Sequence, residues 1–106
     1  MNPAENKRLA LLERLVQSGQ ADSFAHYGLG MEYKKLGRID DAVSAFVALR
    51  DKDPAYVPQY LMAGQMLAEA GRTDEAKSWL EQGIAQARSS GNSHALSELE
   101  GALATL

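Results

Sequence analysis

Leu29-Gly30-Met31-Glu32-Tyr33-Lys34-Lys35-Leu36-Gly37-Arg38-Ile39-Asp40-Asp41-Ala42 recurs 34 residues later as Ala63-Gly64-Gln65-Met66-Leu67-Ala68-Glu69-Ala70-Gly71-Arg72-Thr73-Asp74-Glu75-Ala76. Gly30 falls on Gly64, Gly37 on Gly71, Arg38 on Arg72, Asp40 on Asp74 and Ala42 on Ala76, and downstream Phe46 falls on Leu80. A fixed offset without a gap marks an internal repeat, in which each copy is one supersecondary unit stacked on the next.

Each copy reads as two helices. Leu29, Tyr33 and Leu36 recur at i, i+4, i+7, the spacing of one helical face. Gly37 then supplies the left-handed residue that ends a helix. Asp40 and Asp41 open the next helix, where carboxylates favour the positive end of the helix dipole. Val43, Phe46 and Leu49 are expected on its buried side, and Asp53-Pro54 stops it. The second copy repeats the plan, with Pro58 near a helix start, Leu67 inside, Gly71 as stop and Asp74-Glu75 as restart. Gly30 and Gly64 fall inside helices, where glycine costs ~1 kcal/mol against alanine. Their recurrence implies close approach of two helices. Six helices are predicted, near 3–18, 22–36, 40–52, 57–70, 74–89 and 93–105, with no strand.

The pattern resembles the tetratricopeptide repeat (TPR), a helix–turn–helix unit. Leu29, Gly30, Tyr33, Gly37, Ala42, Phe46 and Pro54 match it in the first copy. Tyr60, Ala63, Gly64, Leu67, Gly71, Ala76 and Leu80 match it in the second. His26 replaces the usual first aromatic, Leu49 and Gly83 replace a small alanine, and Arg88 stands in place of the closing proline. The last departure predicts that the final helix of the second copy runs on. The implied fold is an all-α, right-handed TPR solenoid with a flanking helix at each end, like small stand-alone bacterial TPR proteins.

The expected organisation is a single domain over 1–106: a half-repeat helix at 1–22, repeats at 23–56 and 57–90, and a capping helix at 91–106. Asn2-Pro3-Ala4-Glu5 reads as a capping box with proline at the first helical position. Leu9, Leu12, Leu15 and Val16 line one side of the helix that follows, and Gly19 stops it. Ser89-Ser90-Gly91-Asn92 reads as a loop. Leu96, Leu99, Leu103 and Leu106 then give the last helix an apolar stripe that covers the end of the solenoid.

Composition narrows the function classes. Eleven Lys and Arg against fourteen Asp and Glu give a net charge of -3, so nucleic acid, whose backbone calls for a basic face, is not expected as a partner. Without cysteine there is no disulfide, thiolate metal site or cysteine nucleophile. No apolar run approaches the ~20 residues of a spanning helix, and Glu13 and Arg14 break any signal-like stretch, so no membrane association and a cytoplasmic location are expected.

No constellation for catalysis, cofactor or metal stands out. His26 and His94 are far apart in sequence and lack a local carboxylate cluster. His26 sits at a repeat core position and is expected to be packed and satisfied. His94 opens a helix and reads as a cap or surface residue. Asp40, Asp41, Asp74 and Glu75 are explained by their helix starts. Gly28-Leu29-Gly30 has no preceding strand and is not a phosphate loop. The chain is therefore not expected to be an enzyme.

The resemblance implies that the first helix of each repeat lines a concave groove while the second forms the outer layer. The groove face would carry Phe24, Tyr27, Met31, Lys34 and Lys35 on the first such helix. Leu61, Gln65 and Glu69 would continue it on the second. Apolar and aromatic positions rimmed by charge suit a docked peptide or helix of a partner protein. The alternative for Phe24 and Met31 is packing on the N-terminal helix. Chaperone-type TPR domains grip a terminal carboxylate with lysines and asparagines; Tyr27 and Met31 occupy such positions here, which argues against that subtype. Self-association as a homodimer through the terminal helices is the other binding class.

Overall fold

The computed structural model of the chain describes residues 3–106, with side chains described from Lys7 onward. Its helices are α1 (Pro3–Gln17), α2 (Ser23–Lys35), α3 (Ile39–Lys52), α4 (Pro58–Glu69), α5 (Thr73–Ser90) and α6 (Ser93–Ala104). No described residue lies in a strand, so the fold is all-α. Each helix end lies within one residue of its expected position. Asn2 and the Glu5 side chain, on which the expected capping box depends, lie outside the described residues.

The helix stops repeat with the sequence. At the end of α2, Gly37 adopts φ 73° and donates to the Lys34 carbonyl, while the Arg38 N–H donates to that of Tyr33. At the end of α4, Gly71 at φ 78° donates to Ala68 and Arg72 to Leu67. These paired bonds satisfy carbonyls that the helix leaves open, and a left-handed residue is needed to form them. Arg38 then pairs with Asp41 and Arg72 with Glu75, each at 2.8 Å. Asp22 and Asn92 cap α2 and α6 by accepting from the N–H groups of Ala25 and Ala95. The loop expected at 89–92 is shorter than the sequence suggests. Helix α5 continues through Ser90 before Gly91 turns left-handed, because no proline follows Arg88 to break it.

The chain divides into two compact units, Met1–Lys52 and Asp53–Leu106. In the first, α2 packs against α1 and α3. Leu29, Tyr33, Ala42, Ala45, Phe46 and Leu49 are buried there, with Ala42, Phe46 and Leu49 fully withdrawn from water. Val43, expected in this core, is only half-buried; the inward face of α3 is the stripe of Ala42, Ala45, Phe46 and Leu49. Helix α1 contributes buried Leu9 and Leu12. It also makes polar contacts with α2. Arg8 Nε donates to Glu32 Oε1 at 2.8 Å, and the Tyr33 hydroxyl donates to Glu13 Oε2 at 2.6 Å.

In the second unit, α5 packs against α4 and α6, and α4 also meets α6. Tyr60, Leu67, Ala76, Leu80 and Leu99 form its fully buried centre. Leu99 is the only residue of the α6 leucine stripe that is fully covered; Leu96 and Leu103 are half-buried. Glycines set the helix spacing. A Cβ at Gly83 would lie 2.5 Å from Tyr60 Cβ and 2.9 Å from Leu99 Cδ2. The segment entering α4 is held by side chains from its first turn: Gln59 Nε2 donates to the Asp53 carbonyl at 3.0 Å, and the Tyr60 hydroxyl donates to that of Pro54 at 2.5 Å.

Candidate functional site

Helix α2 is amphipathic in a particular sense: Leu29, Gly30 and Tyr33 face inward, leaving a second apolar side outside. Phe24 stands on that side, 68% exposed. Tyr27 and Met31 follow on the same side and are half-buried, Lys34 is half-buried, and Lys35 is exposed. Tyr27, expected on the groove face, also reaches α3. Its ring meets that of Phe46 edge-on, with centroids 6.2 Å apart and planes at 60°. Gly30, one turn further along α2, leaves room for the Phe46 ring to lie over the helix and reach Tyr27. Tyr27 thus combines a packed ring edge with a solvent-facing remainder.

On α4, Leu61 is half-buried while Gln65 and Glu69 are exposed. The structure brings these three together in one cleft of about 560 Å³. Leu61, Gly64, Gln65, Ala68 and Glu69 form one wall, and Leu80 of α5 lies beneath. The opposite wall is made of Glu98, Gly101, Ala102, Thr105 and Leu106. Sequence reasoning missed this second wall by reading the last helix as a cap or a self-association surface, not as part of the groove. The available signal was Gly101, a small residue two positions from buried Leu99 and so on the other side of α6. A Cβ on Gly101 would meet nothing within 4 Å, so this side of α6 is open.

The titratable groups offer little catalytic chemistry. His26 departs from the expectation of a satisfied core histidine: its buried Nδ1 has no hydrogen-bond partner among the described residues. Burial lowers its pKa, nearby Lys52 adds to the effect, and Asp22 opposes it. His94 is on the surface, as expected, with Nε2 3.0 Å from Glu98 Oε1. Burial, then the hydrogen bond to Glu13, pushes the Tyr33 hydroxyl up to about 12. Glu32, only 6% exposed, keeps one carboxylate oxygen on Arg8 and has the other without a partner among the described residues. Among those residues no group of three His, Asp or Glu side chains could hold a metal ion. Nor is any helix long and apolar enough to cross a membrane.

Residues 33–99 match the profile of the tetratricopeptide repeat family. The chain belongs to that family. This TPR chain is similar to the TPR domain protein of Salinibacter ruber, whose crystal structure is 35% identical over 80% of this chain and 94% of that one, with a TM-score of 0.72. The solution structure of the TPR domain protein from the same organism is 36% identical, covers 79% and 85% of the two chains and has a TM-score of 0.73. A solution structure of a Bordetella parapertussis protein is 26% identical over 99% of this chain and 88% of that one, with a TM-score of 0.78. No match is found among curated proteins. The TPR fold generally mediates protein–protein interaction.

Proposed function

We propose that this TPR chain is a protein-interaction module, without enzymatic activity, that binds a peptide or helix of a partner protein on the groove faces of its first-helix elements. On α2 that face carries Phe24, Tyr27, Met31, Lys34 and Lys35; on α4, in the other unit, it carries Leu61, Gln65 and Glu69. In this assignment the repeats run over 23–56 and 57–90, flanked by α1 and α6. The carrying observation is Phe24, an aromatic side chain left 68% exposed beside half-exposed Tyr27 and Met31. Aromatic side chains are frequent anchors of binding energy because a rigid ring loses little entropy on docking.

The test is partner capture by wild type, Phe24→Ala and Tyr27→Ala, with melting curves for each. Each truncation should weaken binding by ~1–2 kcal/mol, about five- to thirtyfold. Phe24→Ala should melt with wild type, since its ring is already in water. Tyr27→Ala should melt lower, because it also loses the Phe46 contact. Identical partner sets at equal yield from both variants would move the site away from α2.

A second reading is supported by Leu11, 52% exposed on α1, and Leu106, 38% exposed after α6. Apolar residues displayed on terminal elements suit self-association as a homodimer. Sedimentation mass across a concentration series separates the readings. A constant monomer mass removes the second.

A further inference from the structure

We propose that the cleft between α4 and α6 takes a cationic, helix-forming amphipathic segment of a partner protein. This rests on the protein-interaction reading and names the chemistry of the partner at one part of the surface. Two observations carry it. Leu61, Leu80, Ala102 and Leu106 give the cleft an apolar lining, and α4 and α6 form its walls. A groove between helices receives a third helix through apolar side chains spaced at i, i+3/i+4 and i+7. Its volume, about 560 Å³, is of ligand-binding size.

The charge is one-signed. Glu69 on α4 and Glu98 on α6 are the charged residues lining the cleft. Residues 53–106 contain seven Asp and Glu against three Lys and Arg, while residues 1–52 contain seven against eight. The three cations of the second unit, Arg72, Lys77 and Arg88, do not line the cleft. Lysines or arginines flanking the leucines of an incoming helix would thus meet carboxylates on both walls. An acidic segment would meet repulsion on both. Such complementarity sets specificity and association rate, and salt weakens it.

Three labelled peptides, each the length of α4, provide the test by fluorescence anisotropy. The first carries leucines at i, i+3, i+4 and i+7 with lysines elsewhere. The second replaces the lysines with glutamates. The third scrambles the lysine peptide to destroy its apolar face. The lysine amphipathic peptide should bind roughly tenfold or more tightly than either other at low ionic strength, and added salt should narrow the gap. Glu69→Lys combined with Glu98→Lys should invert the preference toward the glutamate peptide. Gly101→Leu places a side chain in the open cleft and should abolish binding without lowering the melting temperature.

Equal binding of the lysine and glutamate peptides would overturn the proposal, as would equal binding of the scrambled peptide or absence of binding by all three. Partner capture that still depends on Phe24 and Tyr27 would then leave the α2 reading standing while the cleft assignment falls.

Discussion

A Cβ added to Gly30 would lie 2.8 Å from two ring atoms of Phe46, and one added to Gly64, 34 residues on, would lie 2.5 Å from Leu80 Cδ2. The same pair of helix positions thus makes the same close approach in both repeats. Phe46 and Leu80 are essentially fully buried, so neither can move aside into water. Gly30→Ala and Gly64→Ala should each lower stability. Overpacking costs ~1–3 kcal/mol, against a helix-propensity gain of up to ~1 kcal/mol. Gly101→Ala, with open space around its new methyl, should instead raise stability by about 0.5–1 kcal/mol. Urea midpoints of the three variants check the register. If Gly64→Ala were as stabilising as Gly101→Ala, the close packing of α4 on α5 would be wrong.

Arg8 and Glu32 differ sharply in exposure: the arginine side chain is 59% exposed and the glutamate side chain 8%. Removing the arginine therefore leaves a buried carboxylate with less compensation, whereas the pair itself contributes little as a surface bridge. Arg8→Ala should destabilise by about 1–3 kcal/mol. Glu32→Gln in the Arg8→Ala background should recover part of the loss, because a neutral amide costs less to bury than a carboxylate. A double-mutant cycle read by thermal melting tests this. Additive losses would show that Glu32 does not need its partner.

Tyr33 links pH to stability at the alkaline end. Its ordinary value is 10.0 and burial with the Glu13 bond pushes it up to about 12. A raised folded-state value means that the unfolded chain loses this proton first. The stabilisation is complete below pH 10 and declines as pH rises from 10 to about 12. Tyr33→Phe should remove that part of the decline and lower stability at neutral pH by about 0.5–1.5 kcal/mol. Melting curves at pH 8 to about 11 check both; parallel pH dependence in variant and wild type would remove the assignment.

His26 acts at the acid end. Its folded-state value lies below 6.5 because burial, and then Lys52, disfavour the charged ring. The unfolded chain takes up the proton first, so stability present above pH 6.5 falls as pH drops through the folded-state value. His26→Gln should flatten the melting temperature between pH 7 and about 5, above the main titration of ordinary carboxylates. NMR titration of the ring locates the value directly. A value at or above 6.5 would contradict the burial described for Nδ1.

Local chemistry made most of the fold legible in the sequence. The glycines at 37 and 71 mark left-handed stops, the acidic pairs after them mark helix starts, and the offset of 34 residues ties Ala42 to Ala76 and Phe46 to Leu80. These signals depend on a residue and its near neighbours, so no distant contact is needed to read them. The resemblance to the TPR family follows from the same positions. Tertiary structure alone decided how side chains from different helices share space. It laid the Phe46 ring under Tyr27, buried Glu32 beside Arg8, left His26 Nδ1 without a partner among the described residues, and made α6 a wall facing Leu61, Gln65 and Glu69. Helical periodicity identifies which side of a helix is apolar, but contacts between helices depend on their separation and crossing, which Gly30, Gly64 and Gly83 set through the side chains that move into their missing Cβ positions.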